Sequence, residues 1–454
     1  MKSHSVIFRG RSFFEIAGLF IVFSLFAANS FHYNIQSPYL YYRELFGILF
    51  IALIIWHCLL KSTNVGGLSW PIFYLLLFPV MLIFWSVLDT GISLYAGGDA
   101  AMSSEHLQGA SQMKLVVYVL RNALLYLPLV VYLYLRGLNT QEIRLVALIA
   151  IVVAPFSISS YLQSGELGKM EMTLGKVAQL GGRGIAYNSY VPYLTFHILC
   201  GVYLLFSPVG RLIKAVVLGC VIYTILFVVF STSRQSTLFI AITLFVFFLA
   251  VNRKSQMNKY ITIGLVSLVL MAAFLYYTKN TDLDYKLIER FGSLQGFISD
   301  ATSQRVALAT HGLGILSPIE WFMGAGLTSV ITSGPHNDYI RWTQRIGIPM
   351  MILGFLPFFM TFVRSFRLIR LRHFDNSLHT FLCLAIGFTL FHSVFGYPRE
   401  EANQAITVYM GIAIWFGAYR EGLIPKLRRS TKKVHGPANR DSNHAPKFSV
   451  HSAR

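Results

Sequence analysis

Residues 212–230 read LIKAVVLGCVIYTILFVVF, and the next five, Ser231-Thr232-Ser233-Arg234-Gln235, interrupt them with a tight polar turn before a second apolar run over 238–251. An uninterrupted stretch of this kind comes close to the roughly 20 apolar residues that a helix needs to cross a bilayer. Working outward, similar runs recur at 13–30, 45–60, 68–88, 115–135, 145–162, 190–206, 260–277, 346–363, 378–395 and 405–418. The expected fold is therefore all-α, a polytopic membrane protein of about twelve transmembrane helices. Only 13% of the chain is charged against 55% hydrophobic, about half the roughly 25% charge of an ordinary soluble domain.

The formal charge of +19 invites a nucleic-acid reading, but its distribution excludes one. The basic residues fall in short connections and near the C-terminus, as membrane topology requires, and leave no folded basic face. With the N-terminus inside, the inner connections hold Lys61, Arg136, Arg144, Arg211, Lys214, Arg253, Lys254, Lys259 and the run Arg364, Arg367, Arg370, Arg372. Both termini come out cytoplasmic. Lys2, Arg9 and Arg11 precede the first run like the start of a signal sequence, but no small-x-small cleavage site follows cleanly and further spans come at once, so that run reads as a retained first helix. Cys58, Cys200, Cys220 and Cys383 each lie in an apolar run without pairing or metal-ligand spacing, and read as packing residues.

Three outside segments are long enough to have structure: 89–113, 163–184 and, much the longest, 278–345. In the last, Leu283, Leu287, Phe291, Leu294 and Ile298 recur at three- and four-residue spacing, which predicts an amphipathic helix capping the bundle or lying in the interface. A second helical stretch runs from about Arg305 to Leu313, and Pro318 ends that pattern. The chain thus divides into spans over 1–277, the long loop 278–345, further spans over 346–420, and a basic tail, 421–454, whose composition predicts disorder.

The candidate chemistry lies on the outside. Arg234 stands in the polar turn at the membrane boundary. Its planar fork suits diphosphate oxygens, although an interfacial arginine also snorkels to headgroups. The long loop ends in Phe322-Met323-Gly324-Ala325-Gly326-Leu327 and then Gly334-Pro335-His336-Asn337-Asp338-Tyr339. The glycines permit a tight turn or a close backbone approach, and without a preceding strand they make no nucleotide site. His336 follows a Gly-Pro turn, where an imidazole can take a proton from a hydroxyl; the plainer reading has His336 and Asn337 satisfying loop backbone. Arg305 adds a third polar group to that side. Arg183, in Gly181-Gly182-Arg183-Gly184, and Arg121, inside a span near its outer edge, are further substrate-binding candidates. Arg399 reads as paired with its acidic neighbours, and His197 and His392 as packed within the bundle.

The serine–arginine turn between two spans, the long outside loop with its internal arginine, the Gly-x-Gly and the His-Asn-x-Tyr before the next span together resemble the O-antigen ligase and O-antigen polymerase family. The resemblance covers the end of the seventh span to the end of the tenth. It implies a metal-independent, inverting membrane glycosyltransferase without a cofactor, in the bacterial inner membrane with its active site facing the periplasm. The donor it implies is an undecaprenyl-diphosphate-linked glycan, and the acceptor a glycan or lipopolysaccharide-core hydroxyl. Arg234 and Arg305 would hold the leaving diphosphate, and His336 would activate or orient the acceptor. The family's two activities, joining repeat units or transferring finished glycan to lipopolysaccharide core, share these motifs; polymerase is the expectation and ligase the alternative. A lipid-linked glycan transporter would need polar residues through several spans and internal symmetry, and a purely structural membrane protein leaves the ordered motifs unexplained.

Overall fold

Helices occupy the apolar runs. In the computed structural model every described element is a helix, and no strand occurs among the described residues. The structure describes residues 12–31, 41–61, 70–96, 123–164, 187–230, 234–250, 316–325, 337–370, 376–396 and 402–424, with the single positions 264, 267, 310, 313 and 314. The helices are α1 (Phe13–Phe31), α2 (Tyr41–Lys61), α3 (Trp70–Ala96), α4 (Ala123–Arg136), α5 (Thr140–Ser164), α6 (Tyr187–Phe206), α7 (Arg211–Phe230), α8 (Arg234–Ala250), α9 (Pro318–Met323), α10 (Asp338–Arg370), α11 (Asn376–Phe395) and α12 (Ala402–Arg420). Among the described residues, four stretches are long and apolar enough to cross a membrane: Thr140–Ser160, Arg211–Val228, Asp338–Ile369 and Ser377–Phe395. Together with the shorter apolar helices they are compatible with a multi-pass membrane protein. The amphipathic stretch at 283–298, most of the expected span at 260–277, and the C-terminal tail beyond 424 lie outside the described residues.

Two helices form the centre. Residues 190–204 of α6 and 404–418 of α12 are buried on every face, the pattern of a helix enclosed by others. α6 packs against α5, α7, α8, α11 and α12. Small residues let these axes approach: a methyl group at Gly201 would strike Val221 of α7 and Ile151 of α5, and one at Gly411 would meet the Ala385 carbonyl of α11. The outer helices differ. Leu212 and Val216 of α7, and Phe245 and Leu249 of α8, are exposed, a surface suited to lipid rather than water.

Several helices carry an internal proline, which removes one backbone donor and loosens the ladder. Nearby hydroxyls bond the proline carbonyls: Ser159 to Pro155 at 3.1 Å, Thr195 to Pro192 at 2.6 Å and Thr361 to Pro357 at 2.8 Å.

One end of the bundle is fastened by a buried ion pair. Arg136 closes α4 and Glu142 stands in the first turn of α5; their side chains meet at 2.6 Å, both fully buried. Arg136 Nε also donates to the Glu15 carbonyl of α1 at 2.9 Å, and Nη1 donates to the Gly137 carbonyl at 2.9 Å and to Glu142 at 3.2 Å. Asn139 and Glu142 form a reciprocal cap, with the Glu142 N–H donating to Asn139 Oδ1 and the Asn139 N–H to Glu142 Oε2, so the carboxylate also satisfies a helix-terminal donor. The Leu138 N–H donates to the Gly417 carbonyl of α12 at 3.0 Å. The sequence pattern makes Arg136 a loop cation; the structure makes it a core residue, because its guanidinium finds acceptors on three segments.

Replacing Arg136 by Met is expected to cost about 3–5 kcal/mol, since it strands a buried carboxylate. The double replacement Arg136→Met with Glu142→Leu should recover much of that loss. Denaturant unfolding in detergent micelles, compared across the three variants, checks both.

Candidate functional site

The opposite end of the bundle is where α8 and α10 begin. Asn337 caps α10: Oδ1 accepts from the Ile340 N–H at 3.1 Å and the carbonyl from the Arg341 N–H at 3.0 Å. This fixes the helix start two residues beyond His336. Asp338, in the first turn, is fully buried, where a carboxylate is favoured by the helix dipole. It accepts from the Ser393 hydroxyl of α11 at 3.5 Å. One residue on, the Tyr339 hydroxyl donates to the Leu390 carbonyl at 2.9 Å. Arg341 and Arg345 follow on the same turn-by-turn row as Asp338. Arg345 is buried and Arg341 half-buried, so the first segment of α10 brings positive charge to this end.

The last turn of α11 joins this helix to two others. His392 is buried, with Nε2 at 3.4 Å from Thr195 Oγ1 of α6. Its ring lies 5.3 Å from that of Phe239 in α8 and 4.4 Å from Phe388. His392 Nδ1 has no hydrogen-bond partner among the described residues. Phe239 stands about 7.5 Å along α8 from Arg234 at 1.5 Å per residue. The starts of α8 and α10 therefore share one rim of the bundle, linked through His392 and Ser393.

Beside this rim, α9 docks on α10 backbone to backbone. α10 is broken at Gly347, which takes φ 75° and ψ 170°, a region open to glycine. Gly324 closes α9 with φ 81°. A methyl at Gly324 would fall on the Arg345 carbonyl, and one at Gly347 on the Phe322 carbonyl. The Ala325 N–H donates to the Gln344 carbonyl at 2.7 Å, an acceptor whose helical partner would be the N–H of Ile348. The glycine of the Gly-x-Gly that the structure describes thus serves a helix-to-helix contact. Pro318, read from sequence as a terminator, opens α9 instead. Ser317 is its N-cap, and Ser317 with Glu320 completes a capping box, a Ser-Pro-x-Glu signal that was there to be read.

Of the sequence-predicted site residues, Asn337 is the one whose side chain is described, and it serves as a helix cap. Arg234 is the first residue of α8. Arg121, Arg183, Arg305 and His336 lie outside the described residues. Asp338, Arg341, Arg345 and the His392–Thr195 contact escaped sequence reasoning. The i, i+3, i+7 spacing of Asp338, Arg341 and Arg345 is a signal that could have marked the row. His197, expected to be packed, has its ring 4.3 Å from Tyr193 and Nδ1 on the Tyr193 carbonyl at 3.0 Å. One acidic pair, Asp282 and Asp284, has Asp-x-Asp spacing in the long loop. It lies outside the described residues, and it leaves metal independence resting on the family resemblance alone. The chain matches no family model, no curated protein and no solved structure.

Glu320 titrates where α9 meets the rim. Hydrogen bonds from the Ser317 backbone and side chain hold its carboxyl below the usual range. A depressed folded-state value means that the cap's contribution is present at neutral pH and is lost as pH falls through that value. Amide exchange over 317–324 should therefore accelerate on acidification, and Glu320→Gln should flatten this dependence.

Proposed function

We propose that the chain is a polytopic membrane glycosyltransferase of the O-antigen ligase and polymerase type, with about twelve spans and both termini cytoplasmic. It transfers glycan from an undecaprenyl-diphosphate carrier to a sugar hydroxyl at the periplasmic face, as a surface-polysaccharide polymerase. The observation that carries this reading is the common rim at which α8 and α10 begin, because Arg234 opens the first and His336-Asn337 lead into the second.

The chemistry follows from those residue types. The acceptor oxygen attacks the anomeric carbon, the bond from that carbon to the diphosphate breaks, and its electron pair leaves with the phosphate oxygen. Charge grows on the diphosphate as this happens. Guanidiniums of Arg234 and Arg305, fixed in advance, favour the transition state over the bound donor. His336 receives the acceptor proton. The buried Arg345 and half-buried Arg341 support the reading by making the rim attractive to an anion. The ligase reading uses the same residues and differs in the acceptor.

A deletion strain carrying Arg234→Ala, Arg305→Ala or His336→Ala at matched expression should lose surface polysaccharide that the wild-type gene restores. Transfer from a lipid-linked donor by the purified variants should fall by about 10²-fold or more. Core bearing one repeat unit identifies the polymerase; bare core, with long glycan left on its carrier, identifies the ligase. Full complementation by all three variants rejects the active site and favours transport. Asn337→Ala should lower stability by about 1 kcal/mol through the lost cap, read by thermal unfolding.

A further inference from the structure

α9 presents an apolar face outward. Ile319, Phe322 and Met323 are 72%, 67% and 40% exposed, and their i, i+3, i+4 spacing puts them on one side of the helix. Glu320, tied into the Ser317 cap, is on another side. This short helix is therefore amphipathic, with its apolar side turned away from the bundle that anchors it.

What that side meets follows from its neighbour. The exposed large apolar residues of α10 after the break are Ile348, Ile352, Phe359 and Phe366. At 100° per residue they fall within about 40° of one another, a narrow stripe along the helix. α10 includes one of the stretches long and apolar enough to cross a membrane, and this stripe is its lipid-facing side. The Phe322 carbonyl lies against Gly347, directly before Ile348. α9 thus sits beside the Asn337 end of the stripe.

We propose that α9 is an interfacial wedge: Ile319, Phe322 and Met323 insert among the acyl chains of the leaflet at the Asn337 end, while Ser317 and Glu320 stay at headgroup level. Lipid fits this surface better than a second copy of the chain, since three side chains fall well below the roughly 800 Å² per partner of a stable interface. Aromatic and aliphatic side chains on one side of a short helix, with a polar cap at its start, match the interfacial zone, where one side is apolar and the other wet.

The test places single cysteines at Ile319, Glu320, Phe322 or Ile352 in a full-length chain carrying Cys58→Ala and Cys220→Ala, leaving the buried Cys200 and Cys383 in place. Nitroxide-labelled protein is reconstituted in vesicles of phosphatidylethanolamine and phosphatidylglycerol. Collisions with dissolved oxygen should dominate at 319 and 322, as at 352, and collisions with a water-soluble nickel chelate should dominate at 320. Values at 319 and 322 matching those at 320 would overturn the wedge. So would spin–spin broadening at 322 that disappears on dilution with unlabelled protein, which would give the face to a second copy. Should a labelled variant fail to fold, brominated acyl chains serve instead: Phe322→Trp in a Trp321→Phe background should add a quenched fluorescence component, and an unquenched one counts against insertion.

Discussion

A chain whose helices face hydrocarbon has no water to satisfy its backbone, so every N–H and C=O must find a partner within the protein. Uninterrupted helices meet this requirement almost automatically, and interruptions are where the fold has to provide something more. After the break at Gly347, the Gln344 carbonyl takes its hydrogen bond from Ala325. Between α4 and α5, the Arg136 guanidinium bonds the Gly137 and Glu15 carbonyls. Beside Pro155, Pro192 and Pro357, the hydroxyls of Ser159, Thr195 and Thr361 bond the proline carbonyls. Each device brings together segments far apart in sequence or hardens a weak point in one helix.

The two ends of the bundle resolve their polar groups differently. At the Arg136 end, Arg136 and Glu142 satisfy one another, and the cation on Arg364 lies over the Trp415 and Tyr419 rings at 5.8 and 4.6 Å. The Trp415 indole donates to Ser365 at 2.6 Å. At the Asn337 end, a carboxylate, an imidazole and two guanidiniums gather on the elements that start or finish there.

Much of the architecture was legible because apolar runs have one stable solution in a bilayer, and their helices lie where hydropathy puts them. Boundaries were less legible. α10 starts at Asp338 rather than Ile346, because Asn337 offers a cap and the apolar period of Tyr339, Trp342 and Ile346 is set by α3 and α11, which no local window includes. The burial of Arg136 was equally hidden, since its acceptors belong to α1 and α5. The Ser317–Glu320 cap was readable and went unread, overshadowed by a proline whose meaning depends on whether it ends or opens a turn. At the rim, the types of Arg234 and His336 suggested chemistry, whereas His392 and Asp338 gain their interest only from neighbours on other helices.

The enclosure of α6 and α12 bears on how the protein is made. α6 leaves the ribosome long before α11 and α12, yet those late helices cover part of its surface, including the side where Thr195 meets His392. A nascent chain ending before residue 402 would leave uncovered the side of α6 that packs against α12. α12 has no side of its own suited to lipid over 404–418 and enters a slot already shaped by its predecessors. Among the described helices the last in chain order fills the centre of the bundle, so its arrival closes a core rather than adding an edge.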